Sequence, residues 1–104
     1  MRRQTKFTGI SPAVWRECWE RDGGICRHCG KGGVLQACHF VSRARGGMGI
    51  PTNLVMLCPE CHREADQGDG KAIKEEMREY LESLYPMWSE ENQKYRKETG
   101  RSAE

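Results

Sequence analysis

No stretch of these 104 residues stays apolar long enough to cross a bilayer, which takes about 20 residues in a helix. The opening run, Met1-Arg2-Arg3-Gln4-Thr5-Lys6-Phe7, is charged and has no apolar segment behind it. A secretory leader is therefore not visible, and the expectation is a cytoplasmic chain without a membrane partner. An excess of one charge is lacking too. The 17 Lys and Arg residues nearly balance 15 Asp and Glu, leaving +2. That balance neither requires nor excludes a nucleic-acid partner. Apolar residues are scarce, at 37%. A single domain over residues 1–104 with so thin a core needs a staple, either disulfides or a metal.

Staples are available, because the chain carries six cysteines. In a reducing compartment, cysteines at paired spacing more often bind metal than cross-link. A leader already removed would bring disulfides back into play. Four of the six form two matched pairs, Cys26-x-x-Cys29 and Cys58-x-x-Cys61. A C-x-x-C turn points two thiolates at one place, and two such turns complete a tetrahedron suited to Zn²⁺. Four thiolates leave no open position, so one structural zinc per chain is expected, with its binding energy serving as folding energy. A redox C-x-x-C pair explains the doubled pattern less well. His28, inside the first pair, reads as an exposed neighbour and not as a ligand.

The rest of the chain reads as helix, short strands and helix again. Ser11-Pro12 is a helix start, with serine capping and proline at the first position. Gly23-Gly24 is a stop, giving a helix over about residues 11–22. Val14, Trp15, Cys18 and Trp19 share one face and are expected in the core. Residues 34–41 and 54–57 read as strands around a glycine-rich loop, 42–52. A short helix is expected over 62–67, then a break at Gly68-Asp69-Gly70. A longer helix over about 71–84 carries the stripe Ile73, Met77, Tyr80, Leu81 and Leu84, and Pro86 stops it. Trp88 and Tyr95 are expected to pack back through a last short helix. The basic residues Arg2, Arg3, Lys6, Arg43, Arg45, Lys94, Arg96, Lys97 and Arg101 are candidates for phosphate contacts. Solvated surface charge is the plainer reading for any one of them.

Between the cysteine pairs lie Cys38-His39-Phe40 and Gly46-Gly47-x-Gly49-x-x-x-Asn53-Leu54-Val55-x-Leu57, and the second pair runs straight into His62. Taken together, this text over residues 26–67 resembles the HNH endonuclease family, in the version where two C-x-x-C pairs flank the motif. The resemblance implies a small α+β fold: a ββα-metal, or His-Me finger, motif with a four-cysteine zinc, flanked by N- and C-terminal helices. It also implies a metal-dependent endonuclease that hydrolyses phosphodiester bonds in DNA, leaving 5′-phosphate and 3′-hydroxyl ends. His39 matches the general base that activates water; a neutral imidazole with a pKa of ~6.5 suits that task at neutral pH. Asn53 matches the residue that orients the base through its loop, and in some members binds the metal. His62 matches a ligand of the catalytic divalent cation.

Two positions depart from the family pattern or leave it open. The residue before the base is usually Asp, or His in colicin-type DNase domains, and it ligates the metal. Here it is Cys38, which is either a soft ligand or a bystander. A thiolate ligand favours Mn²⁺ over Mg²⁺. Asp66 lies four residues after His62, on the same face of a helix. It is either a further ligand or a surface acid. Arg43 and Arg45 are the candidates for holding the DNA backbone, and the loop glycines for letting the main chain approach a phosphate. Backbone contacts carry no sequence information directly, so double-stranded DNA of low sequence specificity is the expected substrate. One centre per chain nicks as a monomer and cuts both strands as a dimer. The family also implies phage packaging or recombination proteins as partners. The rival readings are a non-catalytic zinc module that binds DNA or protein, and a related fold acting on RNA or held inactive until it joins an assembly.

Overall fold

In the computed structural model, residues 9–67 and 70–94 are described. Tyr95 and the basic residues Arg2, Arg3, Lys6, Arg96, Lys97 and Arg101 fall outside them. The order is helix α1 (Pro12–Arg21), strand β1 (Gln36–His39), strand β2 (Leu54–Leu57), helix α2 (Pro59–Gln67) and helix α3 (Lys71–Leu84). Single 3-10 turns lie at Arg43–Arg45, Pro51–Asn53 and Glu91–Gln93. No helix among the described residues is long and apolar enough to cross a membrane.

The first helix starts as its sequence dictates. The Ser11 hydroxyl accepts from the Val14 amide at 3.2 Å, and Pro12 takes the first position, where no donor is lost. Its inward residue is Cys18, fully buried, whose thiol burial pushes up to about 11. The two tryptophans correct the expectation. Trp15 is 37% exposed and Trp19 40%. They flank the buried line instead of lying on it, and rings this large are seldom fully enclosed. Trp19 instead covers Gly24, where a Cβ would come within 2.9 Å of the indole.

The strands pair antiparallel, with Gln36 opposite Leu57, Ala37 opposite Met56, Cys38 opposite Val55 and His39 opposite Leu54. β1 is shorter than the expected 34–41, since Val34 is exposed and Val41 bonds to a side chain and not to a strand. All four residues of β2 are buried, as a continuous apolar run covered on both faces should be. α1 packs against β2, α2 against both strands, and α3 against α2. α3 buries Ile73, Met77 and Leu81, but Leu84, at its end, lies outside the core and is exposed. α2 begins three residues earlier than expected. Pro59 opens it without sacrificing a donor, and the His62 amide donates to the Cys58 carbonyl at 2.8 Å.

A buried ionic knot joins these elements. Asp22, fully buried, accepts from Arg21 Nε at 2.6 Å, from the Met56 amide at 2.9 Å and from the Tyr80 hydroxyl at 2.5 Å. Arg21 also donates to the carbonyls of Pro51 and Leu54, both at 2.7 Å. Burial opposes the guanidinium's charge, but the bonds to Asp22 and Tyr85 more than offset it, so Arg21 is held charged. Removing one member of such a set leaves an uncompensated buried charge. In the zinc-loaded protein, Asp22→Ala should therefore lower unfolding free energy by about 3–5 kcal/mol in urea titrations at fixed free zinc. A loss under about 1 kcal/mol would place Asp22 among ordinary surface positions.

Candidate active site

The four paired cysteines converge. One sulfur from each of Cys26, Cys29, Cys58 and Cys61 lies within 4.8 Å of every other. Cys29 Sγ and Cys58 Sγ are 3.7 Å apart, close to the ~3.8 Å edge of a tetrahedron built on ~2.3 Å zinc–sulfur bonds. The first turn is closed by Cys26 N to Lys31 O at 2.8 Å and Gly30 N to Cys26 O at 2.9 Å. The second sits on the first turn of α2, which carries Cys61. Burial raises the Cys26 thiol, but amides of Cys29, Cys58 and His28 directed at its sulfur outweigh this and bring it down to about 6. Such a sulfur is prepared to be a thiolate. His28 turns away from this cluster and pairs through Nδ1 with Glu76 at 2.7 Å.

A second donor group lies beside the first helix turn. Cys38, His62 and Asp66 each offer an atom within 4.8 Å of the other two. β1 supplies Cys38, which is fully buried. α2 supplies His62 and Asp66, whose Nε2 and Oδ2 atoms are 3.1 Å apart, one helical turn along the same face. Burial, reinforced by Asp66 and opposed by Lys74, pushes the Cys38 thiol up to about 12. Sulfur, imidazole and carboxylate are a donor set suited to a transition-metal dication. Among the described residues, these are the two groups with metal-ligand geometry.

His39 follows Cys38 and is 9% exposed. It borders a cleft of about 430 Å³ whose walls also include Ala37, Arg43, His62 and Asp66. A second hollow of about 270 Å³, walled by Gln36, Arg63 and Gln67 among others, shares His62 and Asp66 with the first. His62 and Asp66 thus lie where the two hollows meet, with Arg43 bordering one and Arg63 the other. Arg45 is exposed on the same 3-10 turn as Arg43 but does not line the cleft.

Asn53 is fully buried and its amide is fully used. Oδ1 accepts from the Val41 amide at 2.9 Å, while Nδ2 donates to the carbonyls of Val41 at 3.2 Å and Met48 at 2.9 Å. Its own carbonyl accepts from the Phe40 amide at 2.8 Å. The side chain pins the backbone just after His39. Oδ1 and Nδ2 are thereby both engaged with the backbone of the loop. The loop glycines serve the chain itself. Gly46 has φ +89° and closes the Arg43–Arg45 turn. A Cβ on Gly47 would lie 1.7 Å from the Val41 carbonyl oxygen. Both glycines are buried, which does not fit an approach of their backbone to phosphate. The C-terminal segment holds the far side of this loop, with Met48 N donating to Gln93 O at 2.9 Å and a bridge between Gly47 and Lys94. Trp88 packs edge-on against Phe40 and donates to the Thr52 carbonyl at 2.6 Å.

The family model for HNH endonucleases matches residues 26–68, the stretch that carries both donor groups, His39 and Asn53. This segment belongs to the HNH endonuclease family. Over 83 residues, which take in 71% of its length, the chain is 31% identical to the type IV methyl-directed restriction enzyme EcoKMcrA of Escherichia coli (strain K12). The chain spans 28% of that relative's length. A solved structure of the type IV phosphorothioation-dependent restriction endonuclease ScoMcrA superposes with a TM-score of 0.59 at 23% identity. That match covers 72% of this chain and 19% of the other, and it supports the HNH fold. Within the HNH segment the pattern of two strands, a helix and a four-cysteine cluster is the small α+β arrangement expected from the sequence.

Proposed function

We propose that the chain is a metal-dependent DNA endonuclease in which His39 is the general base. The observation that carries this reading is the single cleft bordered by His39, His62 and Asp66, with Cys38 completing a donor trio around the last two. A divalent cation held by Cys38, His62 and Asp66 would polarise the scissile phosphate and stabilise the leaving 3′ oxygen. His39 takes a proton from the attacking water at the opposite side of the phosphorus. Asn53 keeps the backbone after His39 in place, which fixes the direction of the imidazole. Arg43, Arg45 and Arg63 are the side chains suited to the phosphates on either side. They read charge and not sequence, so low specificity follows. The four-thiolate cluster holds a structural zinc. Modification-dependent restriction, named for the two relatives, is not carried over, because the chain spans 28% and 19% of their lengths.

Incubation of the purified chain with supercoiled plasmid and Mn²⁺ tests the reading. Conversion to the nicked form is expected, with linear product rising only if the chain dimerises. No nicking with any divalent ion would leave a zinc-stapled binding module in its place.

The sulfur ligand has its own consequence. Thiolates favour softer cations, so the wild-type chain should cleave faster with Mn²⁺ than with Mg²⁺. Cys38→Asp should shift that ratio toward Mg²⁺ by about tenfold or more, on the hard-ligand preference of Mg²⁺. Equal rates with both ions in the wild type would take Cys38 out of the ligand set.

A further inference from the structure

We propose that Gln36 is a positioning residue for the cation site, setting which nitrogen of His62 is offered to the metal. This rests on the reading of Cys38, His62 and Asp66 as ligands. Gln36 opens β1 two residues before Cys38, so both side chains leave the same face of the strand. Its Oε1 lies 2.6 Å from His62 Nδ1. An amide oxygen has no proton to give, so the contact is a hydrogen bond only if Nδ1 carries the hydrogen. In the neutral ring the lone pair is then on Nε2, the nitrogen 3.1 Å from Asp66 Oδ2. Gln36 therefore turns the basic nitrogen toward the cleft.

Without this acceptor, the proton is free to sit on Nε2 and bond to Asp66. Two ligands would then satisfy each other, and a cation would have to break that bond before binding. The Gln36 bond also limits the ring's rotation, since it ties Nδ1 of His62 to β1. Partners of this kind on the far nitrogen of a ligating histidine typically contribute 10- to 100-fold in metal affinity. Gln36 touches neither the phosphate nor the water in this account, so its effect runs wholly through His62.

The test uses full-length protein with its four-cysteine site filled by zinc. Mn²⁺ affinity is measured by calorimetry for the wild type, Gln36→Leu and Gln36→Glu, and imidazole nitrogen NMR reports the His62 tautomer. Leucine should weaken Mn²⁺ binding by about 10- to 100-fold and let the Nε2–H form appear. Glutamate keeps an oxygen acceptor, so it should restore the Nδ1–H form and most of the affinity. Gln36 is exposed, so its replacement should leave the thermal midpoint nearly unchanged. Wild-type affinity and tautomer in Gln36→Leu would overturn the inference while leaving the ligand assignment standing. If the wild type itself takes up no Mn²⁺ beyond the zinc, and Cys38→Ala titrates identically, the ligand reading fails and this inference with it.

Discussion

His39→Ala is expected to lower the rate of plasmid nicking with Mn²⁺ by about 10²- to 10⁴-fold, the usual contribution of a positioned general base. The effect should fall on turnover and not on binding. His39 is outside the donor trio of Cys38, His62 and Asp66, so Mn²⁺ affinity should hold. It is also apart from the four-cysteine cluster, so zinc content should stay at one per chain. Its strand partner is Leu54, and that pairing runs through backbone groups that alanine keeps. Truncating a mostly buried ring leaves a void at the cleft wall, so a modest drop in thermal midpoint is expected alongside the kinetic loss. The two are separable by assaying well below the midpoint. Equal nicking by both proteins would remove the base from residue 39 and the reaction from this cleft.

Stripping the zinc should have a larger effect on the fold than any other single treatment. Binding of a structural zinc by such peptides contributes about 10–16 kcal/mol at neutral pH. A whole domain is stable by only about 5–15 kcal/mol. A strong chelator should therefore unfold the chain, with loss of helical circular dichroism and full exposure of the tryptophans. Re-addition of zinc should restore both. Cys58→Ala should behave like the chelated protein even in excess zinc, since Cys58 sulfur is 3.7 Å from its Cys29 counterpart and the residue immediately precedes α2. Cys38→Ala should instead remain folded and zinc-loaded, because its sulfur belongs to the other group. Cobalt substitution gives an independent readout: sulfur-to-metal absorption bands should appear in the wild type and vanish in Cys58→Ala. A chain that keeps its helices in chelator would show that the core alone suffices.

Much of this arrangement was legible from local pattern. The Ser11-Pro12 start, the doubled C-x-x-C and the Ile73, Met77, Leu81 stripe are short-range signals, and each produced the element expected of it. The trio of Cys38, His62 and Asp66 was half legible. Helical spacing puts the last two on one face, but no spacing rule says that a strand will bring a sulfur to them. The Asp22 knot was not legible at all. An acid after a helix looks like surface charge, and its partners Met56 and Tyr80 are far away in sequence. Gln36 was equally silent, because its meaning depends on a ring reached only through the fold. The loop glycines suggest a ligand by sequence alone, whereas Gly46 and Gly47 are required by the chain's own backbone. Contacts of the loop with itself, such as Gly47 against Val41, arise only on closure.

The strap formed by Gln93 and Lys94 changes what counts as the smallest useful unit. Among the described residues, both candidate donor groups and the imidazole at residue 39 fall within residues 26–68, so a minimal excised motif would look chemically complete. Yet the turn bearing Arg43 is clasped from outside that window, at Met48 and Gly47, by a segment that arrives only after the last helix. Grafting the motif alone into another scaffold would transfer the proposed hydrolytic groups and leave the loop that bears Arg43 without its hinge pin.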